Sequence, residues 1–142
     1  MNAKDRKEFG RYFRAIADQM GLRDWRFEIE WSDQLSKPNY AADVEHDLGA
    51  QMNCIPGRRV GETTFAFSAR DQPLDELRQT VCHELLHCHF AAMWHQVRQD
   101  LLERLGQDAY DLFIASFERN MEYGVDAAAT AWAEELPLIQ WP

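Results

Sequence analysis

Residues 80–90 read TVCHELLHCHF. This run holds three of the chain's five histidines, two of its three cysteines, and a glutamate between two of the histidines. The surrounding segment is predicted to be one long helix. Asp71 is placed to cap it, Pro73 sits in its first turn, and Asp75 and Glu76 favour its N-terminal end. The helix runs through LDELRQTVCHELLHCHFAAMWHQV to about Leu105, where Gly106 stops it.

On a helix, His83 and His87 lie one turn apart on the same face. Two imidazoles so placed can grip one tetrahedral metal ion. Glu84 sits about 100° around the helix from His83. From there its carboxylate reaches a water on the metal without displacing it, and serves as general base. The same group can then protonate the leaving amine. The composition makes a chance His-Glu-x-x-His improbable, roughly 0.01 occurrences in a chain of this length. The competing reading is a surface helix with incidental histidines. Leu85, Leu86 and Phe90 argue against it, because they predict partial burial, where unpaired histidines are costly.

A catalytic zinc needs a third protein ligand and an open fourth position. Phe90 and Met93 stand where the longer HExxHxxGxxH pattern needs glycine and histidine, so that class is excluded. His89 points elsewhere on the helix, and His95 lies about 12 Å beyond His87 along the axis. The third ligand is therefore sought on a later helix.

Working outward, residues 8–20 place Phe9, Phe13, Ile16 and Met20 at helical spacing, with Gly21 as the stop. WRFEIEW, residues 25–31, alternates as a strand with one buried face. Residues 32–39 read as a loop. Residues 40–55 read as one or two short strands with a turn near Asp47–Gly49. PGRRVGE is a turn, and TTFAFS a strand. A second long helix starts near Gln107 with an apolar stripe of Tyr110, Phe113, Ile114, Phe117, Met121, Val125, Ala128 and Trp132; Pro137 ends it. The fold class expected is α+β: an N-terminal helix, a small mixed or antiparallel sheet of three or four strands, then two long helices, in a single domain over residues 1–142.

That second helix carries Glu118, Glu122 and Asp126 in an i, i+4, i+8 row, and Ala115, Ala129 and Ala133 continue the same side. Small residues there would let it lie close against the HExxH helix. Such a row is also what a solvated face looks like.

HExxH followed by a glutamate on a later helix resembles the gluzincin branch of zinc metallopeptidases. Glu122-Tyr123-Gly124-Val125-Asp126 fits the ExxxD pattern of that branch, and AAATAWAEELP is similar to the Ala-rich helix of small ImmA/IrrE-type metallopeptidases. The likeness covers roughly residues 75–137. The chain departs from that group in having Asp126 where asparagine is usual, and 34 residues between His87 and the glutamate. The resemblance implies a zincin-like fold and one Zn2+ per chain. It implies Glu122 as third ligand, with Glu118 as the alternative, and Asp126 as the carboxylate orienting a ligand histidine. A peptidase of this kind also needs an oxyanion donor. Tyr123 is the candidate named first, beside Tyr110, His89 and Arg119. By analogy with zincins, GETTFAFS is either a sheet edge for an extended peptide or an interior strand.

The expected function is hydrolysis of peptide bonds in an intracellular protein substrate. The alternatives are a catalytically silent zinc-binding interaction module and a SprT-like protease acting on DNA-bound proteins. The formal net charge of −9, with scattered Lys and Arg, makes a nucleic-acid partner unlikely. No apolar run approaches bilayer length, and the charged N-terminus lacks a signal-peptide core, so a cytoplasmic protein with no membrane partner is expected. The three cysteines form no CxxC pair and are expected to be reduced.

Overall fold

The computed structural model describes residues 1–33, 35 and 49–142. Its element order is α1 (Ala3–Gln19), β1 (Arg26–Ser32), β2 (Ala50–Ile55), β3 (Val60–Ala66), α2 (Leu74–Leu105) and α3 (Gln107–Ala133). The α+β class holds. The turn read near Asp47–Gly49 and the strand possibilities over residues 40–48 lie outside the described residues, Gly49 excepted.

Helix α1 begins five residues earlier than its apolar spacing suggests, because Asn2 caps it. The Asn2 side chain accepts from the backbone N–H of Lys4 and Asp5, and Asp5 accepts from the Asn2 backbone in return. Phe9, Phe13, Ile16 and Met20 are buried as the spacing requires. The chain leaves the helix through Gly21, whose φ of +81° suits glycine.

The sheet has order β1-β3-β2. β1 runs parallel to β3, with Ile29 opposite Thr63. β2 runs antiparallel to β3, with Ala50 opposite Phe65. In β1, Phe27, Ile29 and Trp31 pack on the core while Arg26, Glu28 and Glu30 face outward. Phe65 reaches the aromatic centre, 4.7 Å from the Phe9 ring in an edge-on contact. β3 is paired on both sides, so GETTFAFS is the interior strand of its two readings and offers no edge to a peptide.

Gly61 is there because Phe27 leaves no room for a side chain. A Cβ at Gly61 would lie 2.7 Å from Cδ1 of that ring. Phe27 is itself held against Phe13, with centroids 5.2 Å apart. Gly61→Ala is therefore expected to destabilise the protein by about 1–3 kcal/mol, measured by urea unfolding.

Helix α2 differs from expectation at its start. Asp71 belongs to a preceding 3-10 turn, Phe67–Asp71, and Pro73 occupies the cap position with no side-chain cap. All the buried residues of α2 lie between Leu77 and Ala91, so its last four turns project beyond the sheet. Gly106, at φ +73°, turns the chain into α3, which runs back antiparallel to α2. The apolar stripe read on α3 is not a buried stripe. Only Val125 of it is buried, and Phe113 and Trp132 are exposed. The reason is the projection: the first half of α3 lies along the overhanging end of α2. There Phe113 stacks on Phe117, and Trp94 meets Phe117 edge-on. The segment after α3 returns to α1: Tyr12 Oη donates to Pro137 O at 3.0 Å, and Trp141 stacks on Phe9. No helix among the described residues is long and apolar enough to cross a membrane.

Candidate metal centre

The site forms where α2 and α3 face each other. Val125, Ala129 and Ala133 of α3 are buried against the core, and the two alanines let the helix approach closely. Gln79 Nε2 donates to Thr130 Oγ1 at 2.9 Å. One turn further along α2, His83 Nδ1 lies 2.8 Å from Asp126 Oδ1. The next turn on each helix brings His87 and Glu122 together. The i, i+4 row on α3 thus meets the i, i+4 histidines on α2, turn against turn.

His83 Nε2 and His87 Nε2 are 3.1 Å apart. Glu122 Oε2 lies 3.4 Å from the first and 3.7 Å from the second. These three residues could hold a metal ion. Asp126 grips the far nitrogen of His83, which fixes the ring and leaves Nε2 facing the centre. Asp126→Ala is expected to weaken metal binding by about 10–100-fold, measured by competition with a chromophoric chelator.

The cluster is electrostatically tense without a cation. Burial opposes charge on His83, but the Glu122 hydrogen bond and the charges of Glu84, Asp126 and Glu122 outweigh it and raise its pKa to about 9. Burial lowers His87 to about 4, against the pull of Glu122 and with the push of His83. Glu84 is raised to about 7 by burial, with His83 opposing. It is 5% exposed, and its Oε2 has no hydrogen-bond partner among the described residues. A carboxyl group of this kind, bordering a cavity, is set to exchange a proton near neutral pH.

A cavity of about 490 Å³ opens over the three ligand residues and Glu84. One wall is β2, from Ala50 to Cys54; the other continues along α2 through Ala91, Trp94, His95 and Arg98. Glu118 is not at the centre. It is buried and paired with the Arg98 guanidinium, whereas Glu122 approaches the Nε2 atoms of both histidines. Tyr123, Tyr110, His89 and Arg119 do not line this cavity. Tyr123 is 64% exposed, and the His89 ring faces Trp132. Among the described residues, the basic groups lining the cavity besides His83 and His87 are His95 and Arg98. His95, whose distance along the axis keeps it from sharing the metal with His87, borders the same cleft. Arg98 carries a sequence signal of its own: eleven residues after His87, close to three full turns, it lies on the same face.

Comparison with known protein families, curated sequences and solved structures gives no match.

Proposed function

We propose that this protein is a zinc-dependent peptidase of the gluzincin type. His83, His87 and Glu122 hold the ion, and Glu84 moves the protons. The observation that carries the reading is the ligand triangle. Its sides of 3.1, 3.4 and 3.7 Å match the edge of about 3.3 Å that a tetrahedron acquires when its bonds are about 2.0–2.1 Å. The donor set of two imidazoles and one carboxylate suits zinc, and three protein ligands would leave room for a water or a substrate oxygen.

Bound zinc supplies a Lewis acid that acidifies water and polarises a carbonyl. The remaining steps belong to the chain's own groups. Glu84 takes a proton from the water whose oxygen bonds to the scissile carbonyl carbon. It delivers that proton to the amide nitrogen as the C–N bond breaks, so one carboxyl group serves both halves of the reaction. Asp126 holds His83 in position throughout. His95 and Arg98 lie farther along the cleft, Arg98 already paired with Glu118, and suit a substrate carboxylate there rather than an oxyanion beside the metal ligands. The β2 wall offers backbone groups to an extended protein or peptide substrate.

Two measurements on one preparation test this. Elemental analysis of chelator-free protein is expected to give about one zinc per chain. A mixed peptide library is expected to be cleaved by the zinc-loaded protein and spared by the chelator-stripped one, as read by mass spectrometry. Zinc without cleavage would favour a silent interaction module that uses the same cleft. Cleavage that appears only with added DNA would favour the SprT-like reading. Absence of metal uptake would end the proposal.

A further inference from the structure

Two thiols outside the ligand set meet at the edge of this site. Cys54 Sγ and Cys88 Sγ are 3.1 Å apart, although 34 positions separate them in the chain. Cys54 lies in β2 and lines the cleft. Cys88 is buried on α2, directly after His87 and one turn beyond Glu84. Cys82, also buried on α2, is the third free cysteine and an internal control.

We propose that Cys54 and Cys88 are a reversible redox pair, which a hydroperoxide converts into a disulfide that ties the cleft wall β2 to the metal-binding turn of α2. Cys54 reacts first, because it faces the cleft and Cys88 does not. Its sulfur takes one oxygen from the peroxide, giving a sulfenic acid and releasing water (or an alcohol from an organic hydroperoxide). The Cys88 sulfur then attacks that sulfur; the S–S bond forms, and the hydroxyl leaves with the Cys88 proton as a second water. The peroxide is reduced and two thiols are oxidised, so the step balances. A dithiol reductant reverses it. The two sulfurs lie in contact, about 1 Å beyond the S–S bond length, so a small closure forms the bond. The link would fix the spacing between the substrate wall and the turn that carries Glu84 and His87. The inference rests on the thiol geometry and stands whether or not the protein is a peptidase.

The test uses the full chain, zinc-supplemented, reduced, freed of reductant, and then incubated with hydrogen peroxide. The expected product is a monomer about 2 Da lighter, with two thiols lost and Cys82 still free. Digestion after Glu84 separates Cys82 from Cys88, so the linked peptide must contain Cys54 and Cys88. The melting temperature should rise by about 10 °C, since the link closes a loop of about 35 residues, and fall back after dithiothreitol. Cys54→Ser and Cys88→Ser should each abolish the mass loss. Because Cys54 is half-exposed, its variant carries the test if the Cys88 variant does not fold. Retention of all three thiols, a link to Cys82, a disulfide-linked dimer, an unlinked product about 32 Da heavier, or a linked species that melts no higher would each overturn the proposal.

Discussion

Glu84→Gln lowers peptide cleavage by about 10³-fold and leaves zinc content at about one per chain. The magnitude is that of a lost general acid–base group, roughly 10²–10⁴-fold. Glutamine keeps the shape of the side chain but can neither accept a proton from water nor return one to the amine. Zinc retention is expected because the group that could hold the ion is His83, His87 and Glu122, and Glu84 is not among them. The fold should also survive. A carboxyl group whose folded pKa is raised to about 7 stabilises the protein fully only below its unfolded value near 4.5, and that contribution is lost as pH rises through 7. The folded site therefore already prefers a neutral group at this position, and an amide costs it little near neutral pH. Cleavage and elemental analysis on the same sample decide the matter. A variant that cleaves within threefold of the parent chain removes Glu84 from the reaction, and with it the mechanism proposed above.

The parts of the site legible in the sequence are those fixed by one helix. His83, Glu84 and His87 follow from the i, i+4 rule alone, because the helix that carries them sets their spacing. Glu122 and Asp126 could be narrowed to a row on α3 but not assigned from that row. Their facing partners depend on how deeply α3 seats against α2, which is decided by the burial of Val125, Ala129 and Ala133. Glu118 looked equivalent to Glu122 by spacing; what separates them is Arg98, twenty positions away and on the other helix. The oxyanion candidates show the same limit. Tyr123 is next to Glu122 in sequence, yet adjacent residues on a helix point about 100° apart, and its ring is exposed. The Cys54–Cys88 contact had no local signal at all, since it depends on β2 crossing beside α2. The apolar stripe of α3 misled for a different reason. Periodicity reports a face that could be buried, and the projection of α2 and α3 beyond the sheet leaves most of that face with little to cover it.

Stripped of metal, the protein is expected to lose stability as pH rises from about 6.5 to 9, and zinc is expected to remove that loss. The sign follows from His83. Its folded pKa of about 9 exceeds the unfolded value near 6.5, so its contribution is complete below 6.5 and gone above 9. The shift corresponds to about 3 kcal/mol as an order of magnitude, with the ring only 20% exposed. His87 acts on the other side. Its folded pKa of about 4 lies below the unfolded value, so it destabilises as pH falls from 6.5 toward 4. Glu84 loses its contribution between 4.5 and 7, which opposes His87 in that range and leaves His83 to dominate above it. Physically, the proton on His83 is a weak substitute for a cation among Glu84, Glu122 and Asp126. Zinc takes that place and releases the proton, so its apparent affinity should rise about tenfold per pH unit from 7 toward 9. Urea unfolding at several pH values, with chelator and with buffered zinc, measures both effects. The zinc-loaded protein should hold its stability across 6.5 to 9 while the stripped protein declines. His83→Asn should flatten the stripped protein's decline, because the group that titrates is gone. A stripped protein whose stability is level or rises over that range would mean that His83 is not the charged partner of Glu122 and Asp126, and that the cluster does not need a cation.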